Sequence, residues 1–554
     1  MRRLFTYFAV MVAMVATLVG CTEDTKEKKA AAGEASAALS YERVVPNDAA
    51  VVARLDANQV LVKSGLKAEL TQMIRERLQA EGAPKMVLGF VDDFRNTGID
   101  VEAPVYAFAK IVAKDNIFVG LVAKTYHKDL LDKFLNLAFS GALNKVELSG
   151  CSVVQIEQNL ALAYNNTAVV YGGIFPIEDN YDSYGSFNIN VNSYLVDVLQ
   201  NATNGNGGAV LPAYKGSDAA ICLNMKSLVD VVKQQILKEM DGGYNSEVAY
   251  ALDMLEQSRN GKLDLALNFA DGSINLDFMA SNFAKPVDFE LQPCSNKNLD
   301  KVSANALAVV NVPFNGPEFV RVFTELLEKN PNYKNMICTM IENEGVDSSV
   351  VDVILNVALP MLSSVDGDLT FALNSVKPTH NDYAMTADID ACAVVNVTNS
   401  SIINAVDMMG LANDPMVTNL GNSNYSINAD GVNIYFGQKG DLLYASTPDI
   451  VAPKHPAATS ASWYPAVQGS YAYALVNISS LLQIPEFKQG VIEGAQESGA
   501  SIYSVMQLVE SLDYLLLTAP TPESVSLRLV FKNKNENALK QVVNVAKHEI
   551  YNAL

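Results

Sequence analysis

The segment NDAAVVARLDANQVLVKSGL (47–66) contains an apolar run typical of a strand, then a short polar break and the start of a helix. The same order returns in SDAAICLNMKSLVDVVKQQI (217–236) and in ANALAVVNVPFNGPEFVRVFTELL (304–327). A fourth copy is SYAYALVNISSLLQIPEFKQG (470–490). Short apolar runs predict strands, and apolar residues three and four positions apart predict helices. Four such units in one chain indicate internal repetition.

The stretches between these units also match in their order of elements. Each half of the chain continues with a strand, a turn, a strand and a helix, then a three-strand meander with Asn or Gly turns, and it closes on a hairpin. The corresponding pairs are 104–138 and 368–410, 150–173 and 421–447, and 262–281 and 513–533. This agreement predicts a tandem duplication.

The predicted boundaries place the first half at 41–282 and the second at 303–554, joined by a linker at 283–302 that contains two prolines. Short turns between strands favour antiparallel pairing. We therefore expect an α+β fold, a tandem duplication of a mainly antiparallel sheet domain with helices packed on one face. The last segment, 537–554, has the apolar stripe of an amphipathic helix, and we expect it to pack on the second sheet.

The N-terminal twenty residues have the layout of a secretory signal peptide. Arg2 and Arg3 form a short positive start, and residues 4–20 are mostly apolar. This run is marginal for a membrane span, which needs roughly 20 predominantly apolar residues. We therefore interpret residues 1–20 as a lipoprotein signal peptide, with an ordinary signal peptide or an uncleaved anchor as the alternatives.

The end of this run carries a more specific pattern. Leu18, Val19 and Gly20 followed by Cys21 resemble the bacterial lipobox, in which the cysteine is lipidated and becomes the mature N-terminus. More than one acyl chain makes such an anchor stable. Residues 21–40 are too poor in large apolar side chains to pack, so we expect a flexible tether. Cys21 is thus the predicted attachment point to the outer membrane.

A family resemblance follows from these features. A lipobox, a polar tether and VVPNDAAVVARLD (44–56) leading into a KSGL helix (63–66) resemble the Bacteroidota lipoproteins grouped as domain-of-unknown-function family 4836. The resemblance implies a secreted cell-envelope lipoprotein and brings no established activity. Acidic residues after Cys21, in 22–24, resemble a surface-export signal, but the surface and the periplasmic side both remain open.

Composition limits the classes of partner. The chain has 554 residues, of which 49% are hydrophobic, so we expect a globular protein of two or more domains. Its formal charge of −21 becomes −23 when Arg2 and Arg3 are removed with the signal peptide. Nucleic acid is therefore not an expected partner, because its binding requires Lys and Arg to neutralise phosphates.

The cysteines beyond Cys21 are widely spaced and odd in number, which argues against metal and thioredoxin-like motifs. We expect most of them to be buried free thiols. They are Cys151, Cys222, Cys294, Cys338 and Cys392.

No catalytic motif stands out, so we expect neither an enzyme nor a cofactor. The patterns G-x-S-x-G and G-x-x-x-x-G-K-[ST] do not occur. HEIYN (548–552) begins like a zinc motif, but Asn552 replaces the second histidine. Asp388 and Asp390 share one side of a predicted strand and would be candidates for a carboxylate-dependent hydrolase. A solvated sheet face is the expected role of this pair.

One loop has an unusual composition. EDNYDSYGSFNIN (178–190) mixes acids, tyrosines and asparagines. It fits a calcium loop only in part, because the twelfth position is Val191 instead of Glu. Tyr181, Asp182 and Tyr184 are suited to contact a protein or a glycan through stacking and hydrogen bonds. We treat them as a tentative partner loop.

Three functions remain open. The leading expectation is a binding or interaction scaffold for a protein or glycan partner. The alternative is a carrier that holds an apolar ligand between a sheet and its helices, and the hydrolase is third. The helix residues proposed to line such a pocket are Leu66, Leu70, Met73, Ile74 and Leu78.

Overall fold

The computed structural model describes most of the chain from Tyr41 onward. The described residues are 41–80, 82, 85–113, 116–138, 144–176, 190–203, 214, 216–239, 246–284, 290–329, 338–339, 354–381, 384–408, 415–429, 432–447 and 455–553. They form two compact units. Unit 1 comprises 1–243, 251–284 and 535–554, and unit 2 comprises 244–250 and 285–534.

Unit 1 is built on ten antiparallel strands. They are β1 Val51–Leu55, β2 Val105–Ala113, β3 Asn116–Lys124, β4 Lys145–Leu148, β5 Cys151–Glu157, β6 Leu160–Tyr164, β7 Ala168–Pro176, β8 Ala219–Asn224, β9 Lys262–Ala270 and β10 Ser273–Ser281. Their hydrogen-bonded order is β10-β9-β8-β1-β2-β3-β7-β6-β5-β4. The predicted meander and closing hairpin of the first half are therefore confirmed.

Unit 2 also has ten described strands, all antiparallel. They are β11 Ala308–Asn315, β12 Asp366–Asn381, β13 Ala384–Asn396, β14 Val417–Gly421, β15 Asn424–Ala429, β16 Val432–Lys439, β17 Leu442–Ser446, β18 Ala472–Val476, β19 Leu512–Thr521 and β20 Ser524–Phe531. Their order is β20-β19-β18-β11-β12-β13-β17-β16-β15-β14. When β11 is set equal to β1, this is the strand order of unit 1.

Fourteen α-helices occur among the described residues. They are α1 Ala57–Ser64, α2 Lys67–Ala80, α3 Lys85–Asp92, α4 Lys128–Ala138, α5 Val191–Thr203, α6 Met225–Glu239, α7 Ser246–Gln257, α8 Gly316–Lys329, α9 Leu359–Leu362, α10 Ser401–Met408, α11 Ile478–Leu481, α12 Pro485–Glu497, α13 Ile502–Ser511 and α14 Ala538–Ala553. The chain is thus an α+β protein.

The first strand-then-helix unit shows why the repeated pattern folds as it does. Residues of β1 alternate between partly exposed and buried, as the period of a strand requires. The carboxylate of Asp56 then accepts a hydrogen bond from the Gln59 amide at 3.0 Å and caps α1. Gly65, at φ 72°, ends this helix in the left-handed region that favours glycine.

The sheet of unit 1 is covered on both faces, which corrects the expectation of helices on one face only. All five residues of β6 are buried. Ala161 and Ala163 pack in a cluster with Leu195 of α5, whereas Leu162 packs with Leu131 of α4. Because neighbouring strand residues point to opposite faces, α4 and α5 lie on opposite sides of the sheet. Antiparallel strands permit one exposed face, but an entirely apolar strand such as β6 requires two covers.

The sheet of unit 2 is also packed on both faces. On one face, Tyr473 of β18 packs in a cluster with Leu299, which lies in a 3-10 helix, and with Trp463, which directly precedes one. On the other face, Val395 packs with Ile402 of α10.

The C-terminal helix does not pack on the second sheet, contrary to the expectation from sequence. Leu539 and Val543 of α14 pack against Leu61 of α1, Leu70 of α2 and Leu66 between these helices, all in unit 1. The helix also contacts β9 and β10. An apolar stripe requires a helix to bury one side but does not specify which sheet or helix receives it.

Candidate functional site

An apolar cavity of about 310 Å³ lies on the α4 face of the unit 1 sheet. Its floor is a row of side chains that crosses five paired strands. The row runs through Ala53, Ala107, Leu121, Tyr171 and Leu162, as the strand register shows. The first two positions are alanines, whose short side chains leave room between the floor and the helices.

The roof of the cavity is formed by α4. Leu131, Phe134 and Leu135 face the sheet. Phe134 packs against Phe90 of α3. The two rings are edge to face, with their centroids 5.1 Å apart. Aromatic pairs favour this geometry, so α3 and α4 form a braced cover.

The start of α4 is fixed by Gly98. The carbonyl oxygen of Gly98 accepts hydrogen bonds from the amides of Tyr126 at 2.8 Å and His127 at 3.1 Å. Gly98 has φ 83°, and a Cβ atom there would lie 2.6 Å from the His127 carbonyl oxygen. Only glycine allows the chain to pass this close to the first turn of α4.

Two polar residues, Arg54 and Tyr171, line the otherwise apolar cavity. The guanidinium of Arg54 donates to the Ser217 carbonyl, and it lies 3.3 Å from the Asp56 carboxylate. Burial raises the pKa of Tyr171 above its usual value, so its hydroxyl stays protonated. The cavity therefore presents no ionised group that lacks a protein partner.

A second buried ion pair holds α1 beside the sheet. Lys63 of α1 donates to both oxygens of Asp218, at 2.6 and 2.7 Å. The Asp218 carboxylate also accepts from the Phe269 amide at 2.7 Å. These contacts tie α1 to β8 and β9, and α1 begins with Ala57, which lines the cavity.

The chemistry of this cavity suits an apolar ligand. Its volume is about twice that of an engineered apolar cavity of ~150 Å³, which stays dry and binds benzene. Ligand pockets in proteins begin at roughly 300 Å³. Since Arg54 is hydrogen-bonded to the protein and the Tyr171 hydroxyl stays neutral, an apolar chain or ring fits the chemistry of the wall.

Two of the sites predicted from sequence fall on residues that the structure does not describe. Leu18, Val19, Gly20 and Cys21 fall outside the described residues, and so does the partner loop with Tyr181, Asp182 and Tyr184. The lipid-anchor and partner-loop predictions therefore stay predictions.

The helix positions proposed to line a pocket do not line this one. Leu66, Leu70 and Met73 belong to the apolar cluster with α14. Ile74 and Leu78 of α2 are likewise not among the lining residues of the cavity. The existence of an apolar cavity was predicted as an alternative, but its lining was not.

The candidate catalytic carboxylates form no cleft with each other. Asp388 is exposed, while Asp390 accepts a hydrogen bond from the Asn374 side chain at 3.0 Å. Within the part of the chain that the structure describes, His, Cys, Asp and Glu side chains form no group of three that could hold a metal ion.

The five described cysteines are free, and four of them are buried, as predicted. Burial raises the pKa of Cys222 to about 12 and that of Cys392 to about 11. Both thiols therefore stay protonated at neutral pH and are poor nucleophiles.

The cavity residues themselves were missed by sequence reasoning. Ala53, Ala107 and Ala123 occupy positions on strands that point to the α4 face. The available signal was a small residue on the same face of each of three strands. Only the pairing of those strands shows that the alanines are neighbours.

Together these features define the class, an α+β protein whose antiparallel sheet and helices surround an apolar cavity. The chain belongs to the family described as "Domain of unknown function (DUF4836)", whose profile matches residues 41–173 and 217–539. No curated protein matches the chain significantly.

A solved structure titled "Structure of crystal form I of TP0453" matches 46% of this chain and 82% of its own, with 12% identity and a TM-score of 0.22. A score of that size does not establish a common fold. Separately, none of the described helices has the length and apolarity needed to cross a membrane.

Proposed function

We propose that this protein is a carrier that binds an apolar ligand, such as a fatty acyl chain, in the cavity of unit 1. The observation that carries the proposal is the apolar cavity of about 310 Å³ between the sheet and α4. A glycan would need hydrogen-bonding groups on the wall, and an enzyme would need reactive ones. An apolar wall supports binding and favours the carrier over the hydrolase.

The proposal includes a lipid anchor at Cys21. The order of a positive start, an apolar run and the lipobox supports a Bacteroidota envelope lipoprotein held at the outer membrane. An anchored carrier would remain near a source of acyl chains.

A tandem duplication is also proposed as the origin of the fold. It is supported by the ten strands of unit 2, which pair in the same order as those of unit 1. The agreement covers all ten strands of each unit, and the sequence shows the same strand-then-helix pattern at the start of each half.

Binding can be tested with the chain that begins at Thr22, which contains every described residue. We expect native mass spectrometry to show a bound apolar molecule that is lost on denaturation. Ala107→Phe should reduce binding more than tenfold, because it displaces about three methylene groups at ~0.8 kcal/mol each. A wild-type chain that carries no ligand and takes up no fatty acid would contradict the carrier.

The matched control is Ala109→Phe. Ala109 lies on β2 and on the same face, one pleat from Ala107, and it is not among the lining residues. This variant adds the same ring to the same strand and should keep full binding. Equal losses in both variants would indicate damage to the sheet instead of filling of the cavity.

The anchor has its own test. Cys21→Ala removes the proposed attachment atom, so we expect the protein to leave the membrane fraction and to lose labelling by an alkyne fatty acid. Cys338→Ala changes another cysteine and should leave both readouts unchanged. Membrane association that survives Cys21→Ala would argue for an uncleaved apolar anchor.

An interaction scaffold for a protein or glycan is the second proposal. It is supported by the Tyr- and Asn-rich composition of 178–190. The double variant Tyr181→Ala, Tyr184→Ala should lose a cross-link that the wild type forms in intact cells. Unchanged cross-links would remove this loop from consideration.

A further inference from the structure

Unit 2 has an apolar hollow of about 450 Å³ on the α10 face of its sheet. Four side chains in one row across paired strands form its centre: Val310, Phe371, Ala393 and Ala445. Val310 is 40% exposed and Phe371 is 51% exposed, although they lie on central strands. Large apolar side chains exposed together in this way mark binding surfaces.

The hollow of unit 2 lies on the row of its sheet that corresponds to the cavity floor of unit 1. Because the strand orders are the same, Val310, Phe371 and Ala393 correspond to Ala53, Ala107 and Leu121. Both rows lie on the face that carries the helix following the third strand. Each sheet therefore has an apolar depression at the same place.

The two depressions differ in their cover. In unit 1, α4 has eleven residues and places three apolar side chains over the floor. In unit 2, α10 has eight residues. Ile402 of α10 packs with Val395 and Leu443, which belong to the next row of the sheet. Within the part of the chain that the structure describes, no helix residue lines the hollow, so those helices leave the Val310 row uncovered.

The wall of the hollow indicates the chemistry of its occupant. No charged side chain lines it, and the polar lining residues are Ser446 and Thr447. The Thr447 hydroxyl accepts a hydrogen bond from the Ala391 amide at 2.9 Å. A peptide strand laid on this floor would bury backbone polar groups without partners, which is unfavourable.

The size of the hollow also selects among apolar occupants. The volume of the hollow, about 450 Å³, lies within the range of small-ligand pockets. A helix with its side chains is about 10–12 Å across, so a partner helix would not enter the hollow. A single hydrocarbon chain is narrow enough to lie on the row that contains Phe371 and Val310.

We propose that this hollow is a second binding site for an acyl chain. The ligand class rests on the function proposed for unit 1, whereas the location rests on the residues of unit 2. The protein then holds two apolar chains, one in each unit.

The probe is 1-hexadecanol that carries a diazirine in mid-chain, added to residues 22–554. We expect native mass spectrometry to show two bound molecules. Illumination should place covalent adducts on peptides of both units. Ala393→Phe should reduce the stoichiometry to one and remove the unit 2 adducts, while the unit 1 adducts remain. An open hollow accepts the added ring without a clash, so this variant should fold.

The matched control is Ala519→Phe on β19, which adds the same ring to the same sheet outside the hollow. It should keep both adducts. Adducts in unit 1 alone would overturn the second site and leave the proposed function intact. Adducts in unit 2 alone would overturn the proposed function of unit 1 and leave the second site intact. The absence of adducts in both units would overturn both proposals. If Ala393→Phe instead converts a wild-type dimer to a monomer, a second copy covers the hollow and the inference is overturned.

Discussion

Asp218 shows how much a single buried charge contributes to unit 1. Its carboxylate is fully buried and pairs with Lys63, whose side chain keeps 27% of its exposure. We expect Asp218→Ala to lower the free energy of unfolding by about 3 kcal/mol, because it leaves an ammonium and the Phe269 amide without their acceptor. Urea unfolding followed by circular dichroism measures this loss.

The control is an ion pair on the surface of the same unit. Lys547 and Glu69 lie 2.8 Å apart, with side chains 40% and 45% exposed. Glu69→Ala should cost less than ~1 kcal/mol, because water and salt screen an exposed pair. Similar losses for Glu69→Ala and Asp218→Ala would show that burial does not set the contribution of Asp218.

The position of α4 depends on Gly98, which packs against the first turn of this helix. Gly98→Ala introduces a Cβ atom that overlaps the backbone at His127 and Leu131, and it does so at φ 83°. We expect a loss of ~3 kcal/mol or more and weaker binding of the acyl probe, because α4 must move away from the cavity. Thermal unfolding and probe titration measure the two effects.

Gly150→Ala is the control that distinguishes the steric clash at Gly98 from the cost of a positive φ. Gly150 has φ 80°, and nothing lies within 4 Å of the Cβ position. Gly150→Ala should therefore cost about 1 kcal/mol and leave probe binding unchanged. If both glycine variants bound the probe as the wild type does, α4 would not be the roof that controls the cavity.

At the scale of the whole molecule, the last helix, α14, packs in unit 1, the unit that also contains β1 and α1. Val543 of α14 is buried against α1 and α2. We expect Val543→Asp to speed hydrogen exchange in residues 57–80, because a buried charge drives α14 from its site. Exchange in 308–315 of unit 2 should change little.

Asn544 provides the matched position, since it is exposed and adjacent to Val543. Asn544→Asp adds the same carboxylate and should leave exchange unchanged. Faster exchange in 308–315 after Val543→Asp, with none in 57–80, would restore the expectation that the helix supports the second half.

The local pattern of the sequence was enough to predict the elements and their succession. Alternation, capping residues and Asn or Gly turns act over a few residues, so the strands, hairpins and meanders of both units could be placed. The apolar face of α8 is an example, since Phe319 and Phe323 are four residues apart and their rings stack with centroids 5.9 Å apart.

Whatever depends on contacts between distant residues was decided by the tertiary structure. Leu61 and Val543 meet although they are far apart in the sequence, and β6 is buried on both faces because two separate helices reach it. The cavity exists because Ala53 and Ala107 are brought side by side under α4. Sequence alone determines which side chains each element offers for burial, and only the pairing of elements determines where those side chains leave a space.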